Sequence, residues 1–237
     1  MRYNLSDTLV RSFGDLLALF FPKLCVTCST TLTGNEDILC TACRQLLPET
    51  NFHHSAENPV SGLFWGRIPV EKANSLLFFD KGSKYRQLLY HLKYKGRKDI
   101  GIFLGNLLGS RLMEVSFDQF DLIVPVPLHP VRQRRRGFNQ SEIIAMGISE
   151  VTGKKVVSNA LRRSQFTTTQ TRKGRFARWQ NVEGIFTTRI PATVKNRHVL
   201  LIDDVVTTGA TLEAAGNALL KAGVSKLSVA TAAFAHS

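Results

Sequence analysis

The run VLLIDDVVTTGAT, Val199 to Thr211, holds the densest set of groups able to do chemistry. Two adjacent carboxylates, Asp203 and Asp204, precede Val205 and Val206, and then come Thr207, Thr208, Gly209, Ala210 and Thr211. The four aliphatics ahead of the acids read as a strand buried on both faces. The residues after them read as the start of a helix. The first N–H groups of a helix have no intrahelical partner, and the helix dipole favours an anion placed before them. Gly209 lets the backbone approach a phosphate closely. The hydroxyls of Thr207, Thr208 and Thr211 can donate to phosphate oxygens. Carboxylates beside such an anion site need neutral donors or a metal as partners, and the two hydroxyls of a ribose 5-phosphate suit them. Asp and Thr also cap ordinary strand–turn–helix junctions, but the full string is more than capping requires.

A second group follows the apolar run Asp121–Val126, DLIVPV, where PLHPVRQRRRGFNQSE begins. Arg132, Arg134, Arg135 and Arg136 cluster there, ahead of Gly137 and Phe138. The planar guanidinium fork suits phosphate oxygens. The stretch reads as a proline-broken loop, either anion-binding or a solvated basic turn. A third group, LRRSQFTTTQTRKGRFARWQNVEGIF, carries Arg162, Arg163, Arg172, Lys173, Arg175 and Arg178 with no acid among them, interleaved with Phe166, Phe176 and Trp179. Charge for a backbone and π-faces for bases are what single-stranded nucleic acid needs; a solvated loop with its aromatics tucked into the core fits the same residues. Lys81, Lys84, Arg86, Lys93, Lys95, Arg97 and Lys98 form a further basic stretch, either a solvated face or a groove for a polyanion.

The four cysteines form two knuckles, Cys25-x-x-Cys28 and Cys40-x-x-Cys43. In a reducing compartment such pairs favour metal over disulfides, and four thiolates suit a closed tetrahedral Zn²⁺ site. With no open coordination position, that zinc is expected to be structural. The spacing between knuckles is short, and a turn at Gly34–Asn35 is expected to close it.

These groups must be positioned by a scaffold. With 237 residues, 43% of them hydrophobic, the chain can bury one core of ordinary size and a small appendage. Residues 1–48 are expected to form an N-terminal helix and four-cysteine zinc finger, 49–74 a linker or irregular lobe, and 75–237 an α/β domain. In the last zone, strands are expected at Ser75–Phe79, Asp121–Val126, Lys154–Val157, His198–Asp203 and Lys226–Phe234. Helical spacing covers Tyr85–Leu92, Ile100–Leu112, Ser141–Val151 and Gly209–Lys221, whereas Leu161–Gln180 shows no clear period. The alternation predicts a parallel sheet flanked by helices, with ligands at the carboxyl ends of the strands, after Val126 and Asp203. No apolar run reaches the ~20 residues of a membrane span. Leu16–Phe21, stopped by Pro22, reads as a core-facing helix rather than a signal peptide, so a cytoplasmic location is expected. The net charge of +13 points to a polyanionic partner: nucleic acid, a phosphorylated metabolite or an acidic membrane surface.

Taken together, the cysteine knuckles, LKYKGRKDIG, VPVPLHPVRQRRRGFNQSE, TQTRKGRFARWQNVEGIF and LIDDVVTTGAT resemble the ComF family, from Cys25 to Phe234. The resemblance implies a phosphoribosyltransferase-type domain with a zinc finger and a role in DNA uptake and natural transformation. It implies that phosphoribosyl pyrophosphate (PRPP) is bound with Asp203 and Asp204 on the ribose 2- and 3-hydroxyls and Thr207 to Thr211 around the 5-phosphate. It also implies a Mg²⁺ ion bridging ribose and pyrophosphate, with Arg135, Arg136 and Gly137 in the pyrophosphate loop. By the same resemblance, the basic segment after Leu161 matches the loop that closes over PRPP. One position departs from catalytic relatives: Thr207 stands where purine-salvage members often carry an acidic candidate base, and Thr cannot serve as one. No C-terminal hood is expected after the last strand, though one could come from residues 49 to 95. Three functions are thus expected to compete: a PRPP-binding, single-strand-binding competence protein; a phosphoribosyltransferase with an unidentified acceptor; and a PRPP-responsive regulator of a protein partner.

Overall fold

A computed structural model of the chain describes residues 21–115, 117, 119–163 and 185–235. The chain divides into two compact units, Met1–Leu47 and Pro48–Ser237. The expected helix over Leu16–Phe21 lies, but for Phe21, outside the described residues.

In the first unit the backbone folds around the cysteines. The N–H of Cys25 donates to Thr30 O (2.8 Å) and that of Ser29 to Cys25 O (2.9 Å), which turns the first knuckle with Ser29 in the left-handed region. Gly34, at φ +59°, makes the turn between knuckles. Glu36 then accepts from the Thr33 N–H (3.0 Å), the Thr41 N–H (2.6 Å) and the Thr41 hydroxyl (2.7 Å). The second knuckle opens helix α1, Thr41–Gln45.

The second unit is built on a five-stranded parallel sheet. Its strands are β1 (Ala73–Phe78), β2 (Leu122–Pro125), β3 (Lys155–Val156), β6 (His198–Val206) and β7 (Lys226–Phe234), in the order β1-β7-β6-β2-β3. β4 (Leu161–Arg163) and β5 (Phe186–Thr188) form a separate antiparallel pair, followed by the short helix α7 (Pro191–Val194). So the expected irregular stretch opens as a strand, held by a partner some 25 residues on that local periodicity does not reveal. Central strand β6 alternates its aliphatics across the sheet. Val199 and Leu201 join Leu212, Ala215 and Leu219 of α8 (Ala210–Lys221) in one buried cluster. Leu200 and Ile202, equally buried, face the side covered by α4 (Lys98–Glu114) and α6 (Gln140–Thr152). These two helices touch at glycines: a Cβ on Gly105 would lie 2.2 Å from Ile144 O, and one on Gly147 2.4 Å from Ile102 O.

The residues ahead of β1 join this core. A 3-10 turn, Phe52–His54, and helix α2, Pro59–Gly62, are fixed by buried Asn58, whose amide donates to Ala73 O (2.9 Å) while its carbonyl accepts from the N–H groups of Val60 and Ser61. Val60, Phe64 and Ile68 enter the α8 cluster.

Two expected boundaries shift. β6 runs through the acidic pair to Val206, because β7 continues beside it and pairs Asp203 with Thr231 and Val206 with Phe234. The expected loop after β2 is largely helical: α5 spans Pro130–Arg136. Pro130 takes the first helical position, the His129 ring accepts from the Val131 N–H (3.3 Å), and Gly137 closes the end at φ +79°.

Candidate functional site

β2 and β6 are neighbours whose connections leave in opposite directions, β2 through α6 to β3 and β6 through α8 to β7. A crevice opens where two parallel strands part in this way. Both sequence-singled loops therefore meet at one place. The Ser141 hydroxyl at the start of α6 donates to Asp203 Oδ1 (2.9 Å), and the Asn139 amide donates to Val126 O (2.9 Å), tying the α5–α6 turn to the end of β2.

The acidic pair is electrostatically tense. Burial, and then the charge of Asp204, pushes the Asp203 carboxyl up to about 7, against hydrogen bonds from the Asp204 N–H and Ser141 and the charge of Lys93. Lys93 Nζ, on α3 (Arg86–Tyr94), lies 3.0 Å from Asp204 Oδ2, and both side chains are largely covered. Arg163 lies within electrostatic reach of Asp203: burial and Arg132 lower its pKa, and Asp203 opposes them.

The other half of the site is open. Thr207, Thr208, Ala210 and Thr211 are exposed at the start of α8, whose first N–H groups lack intrahelical partners. Gly209 is buried at φ +75°, and a Cβ there would meet Phe64 Cε1 at 3.2 Å and Leu63 Cβ at 3.3 Å. Arg67 braces the loop from outside, donating to Thr208 O and Leu63 O at 2.9 Å each and pairing with Glu213. That pairing offsets an acid in the first turn of α8, which would otherwise repel a phosphate there.

Arg135 and Arg136 line a cleft of about 490 Å³ with Tyr90, Lys93 and Tyr94. Arg136 donates to Gln140 Oε1 (2.7 Å) and lies over the Tyr94 ring at 5.3 Å. Gly137 is exposed beside them. Arg162 is exposed on β4, and Arg163 stacks on Phe186 at 5.4 Å. Arg172, Lys173, Arg175, Arg178 and Trp179 lie outside the described residues. Lys93, Ser141 and Arg67 are the site residues that sequence reasoning missed. Lys93 was in view only as one member of a basic run.

In the first unit, the Sγ atoms of Cys25, Cys28, Cys40 and Cys43 lie within 4.8 Å of one another, with Cys28 and Cys40 3.7 Å apart. Zn–S bonds of about 2.3 Å place tetrahedral sulfurs about 3.8 Å apart, so the four thiols fit a zinc ion. Burial raises the Cys25 thiol, but the Thr27 hydroxyl and the amides of Cys40, Cys28 and Thr27 bring it down to about 6. The Cys43 amide lowers Cys40, but burial and the neighbouring thiols push it up to about 11. Four sulfurs this close resist shared ionisation unless a cation lies between them. In the second unit His53, His54 and Glu114 also converge, but Arg111 Nη1, 2.6 Å from Glu114, already neutralises the carboxylate.

Among the described residues, no helix is long and apolar enough to cross a membrane. Residues 125–237 match the family model described as a phosphoribosyl transferase domain. The chain is 31% identical over 221 residues to the DNA utilization protein YhgH of Escherichia coli K12, covering 90% of this chain and 91% of that protein. It is 36% identical over 113 residues to Competence protein F of Haemophilus influenzae Rd, covering 46% and 48%. It is 29% identical over 138 residues to Competence protein ComFC of Bacillus subtilis 168, covering 58% and 54%. On that near full-length likeness and the parallel sheet that carries the acid–threonine loop, the chain belongs to the ComF family of phosphoribosyltransferase-type proteins.

Proposed function

We propose that this protein binds PRPP at the carboxyl ends of β2 and β6, binds single-stranded DNA, and acts in the cytoplasm in DNA uptake and natural transformation. One observation carries the reading: a carboxylate pair and an open helix N-terminus stand side by side at a single strand end. Asp203 and Asp204 accept from the ribose hydroxyls, which requires Asp204 to exchange its contact with Lys93. Thr207, Thr208, Gly209, Ala210 and Thr211 enclose the 5-phosphate, the exposed hydroxyls donating to its oxygens. Arg135, Arg136 and Gly137 serve the pyrophosphate. Mg²⁺, when bound with PRPP, offsets the charge between ribose and pyrophosphate. Zn²⁺ is structural and held by Cys25, Cys28, Cys40 and Cys43. Single-stranded DNA engages the basic groups, with Arg162, Arg163, Arg172, Lys173, Arg175, Arg178 and Trp179 as its first candidates. The names of the relatives, DNA utilization and competence proteins, support the setting.

The test compares wild type with the double variant Asp203→Ala, Asp204→Ala. PRPP with Mg²⁺ is titrated by calorimetry and a labelled oligothymidylate by fluorescence anisotropy. The variant is expected to lose about 100-fold or more in PRPP affinity, since it gives up two charge-assisted acceptors. It is expected to keep DNA binding, with log affinity falling as log salt rises. Wild type that binds neither ligand would overturn the proposal. Pyrophosphate release in the same PRPP samples, with bases supplied as acceptors, would instead favour a transferase.

A further inference from the structure

The cleft beside the acidic pair carries groups that binding of a ribose phosphate does not use. Tyr90 and Tyr94 sit one turn apart on α3, with ring centroids 5.3 Å apart and planes inclined by 46°. They are 45% and 54% exposed, high for aromatic side chains on a helix whose Leu88, Leu89 and Leu92 are buried. Arg136 lies over the Tyr94 ring and is fixed by Gln140, and Arg135 lines the same wall. Lys93 closes the cleft on the side of Asp204. Exposed tyrosines beside cations, with Arg136 on one face of Tyr94, in a chain of net charge +13, match a nucleobase with its phosphates better than an apolar ligand.

We infer that this cleft, formed by Tyr90, Tyr94, Arg135, Arg136 and Lys93, is a stacking site for single-stranded nucleic acid. A base lies against the tyrosines, and the adjoining phosphates lie on the arginines. The inference rests on the single-strand binding proposed above and adds a stacking site on α3 and α5 to the candidates after Leu161. It carries a consequence. The arginines that hold the strand's phosphates are those proposed for pyrophosphate, so PRPP and the strand exclude one another at this cleft.

The experiment measures oligothymidylate affinity by anisotropy for wild type, for Tyr90→Ala with Tyr94→Ala, and for Tyr90→Phe with Tyr94→Phe. The alanine pair is expected to lose at least about tenfold, and the phenylalanine pair, which keeps its ring faces, is expected to bind like wild type. Far-UV circular dichroism and the urea midpoint of the alanine pair check that the fold survives. In parallel, wild type is photocrosslinked to an oligonucleotide containing 5-iodouracil, which needs no variant. The crosslink is expected on the peptide bearing Tyr90 and Tyr94, and excess PRPP is expected to suppress it. Wild-type affinity in the alanine pair, crosslinks confined to the segment after Leu161, or thymidine monophosphate binding as tightly as the oligomer would overturn the cleft and leave the wider proposal standing. Absence of oligonucleotide binding by wild type would overturn both.

Discussion

The cysteine cluster and the strand-end site both gather polar groups by turning the chain sharply, but they use those groups in opposite ways. In the first unit, four sulfurs converge on one another, and the polar atoms of the intervening turn are consumed internally by Glu36. At the end of β6 the donors face outward: hydroxyls and helix N–H groups are exposed, and one carboxyl of the acidic pair is held near neutrality. A site that satisfies itself can only stabilise, whereas a site that leaves donors open, braced from behind, is poised for a ligand. The brace is the informative part. Arg67, Phe64 and Ser141 hold the loop without occupying the side that faces solvent.

Removing the metal is the strongest way to break this division. Chelation, or Cys43→Ser, is expected to unfold the first unit, because closed zinc sites of this kind contribute on the order of 10 kcal/mol. Metal content and hydrogen exchange over residues 21–47 report the loss, and PRPP affinity is read in the Cys43→Ser protein with Mg²⁺ present, because a chelator would remove that ion too. If PRPP binding vanished together with the zinc, the cysteine cluster would not be merely self-contained. At the open site, Gly209→Val is expected to cost about 1–2 kcal/mol from its left-handed backbone alone. The added methyls also press on Phe64. PRPP affinity should fall about tenfold or more, measured by calorimetry.

The tension at Asp203 gives a pH test. Its folded pKa, about 7, lies above the ordinary 3.8, so the folded state holds this proton more tightly than the unfolded state. The stability it contributes is full below about pH 4 and is lost as pH rises through 7. Asp203→Asn removes that slope. In urea melts without PRPP it should match or trail wild type at low pH and exceed it at pH 8 by on the order of 1–3 kcal/mol. Equal stability across that window would show that the pair is not strained.

Much of this was legible in the residues. β6 stood out because a strand buried on both faces is a continuous apolar run, as Val199 to Ile202 are. The acid–threonine string was legible because its parts are adjacent in the chain. What escaped was contact across distance. Lys93 meets Asp204, Ser141 meets Asp203 and Arg67 meets Thr208 across long stretches of chain, and no local period announces such pairs. Helix α5 escaped for another reason. Pro130 and Gly137 were fitting end signals, but none of its residues is buried, so no apolar stripe marked the helix between them.

The finest test concerns the brace. Arg67→Met removes the bonds to Thr208 O and Leu63 O and leaves Glu213 unpaired at the start of α8. The pair is partly exposed, so the stability change should be small, about 1 kcal/mol or less. PRPP affinity should respond more, falling about three- to tenfold, because the loop loosens and an uncompensated carboxylate faces the incoming phosphate. The two causes separate in a double-mutant cycle. Adding Glu213→Gln to Arg67→Met removes the repulsion without restoring the brace. Recovery to near wild-type affinity would make Arg67 a charge-compensating residue. Persistent loss would make it the support that holds Thr208 and Gly209 in the phosphate-binding shape, which is the role its two carbonyl contacts favour.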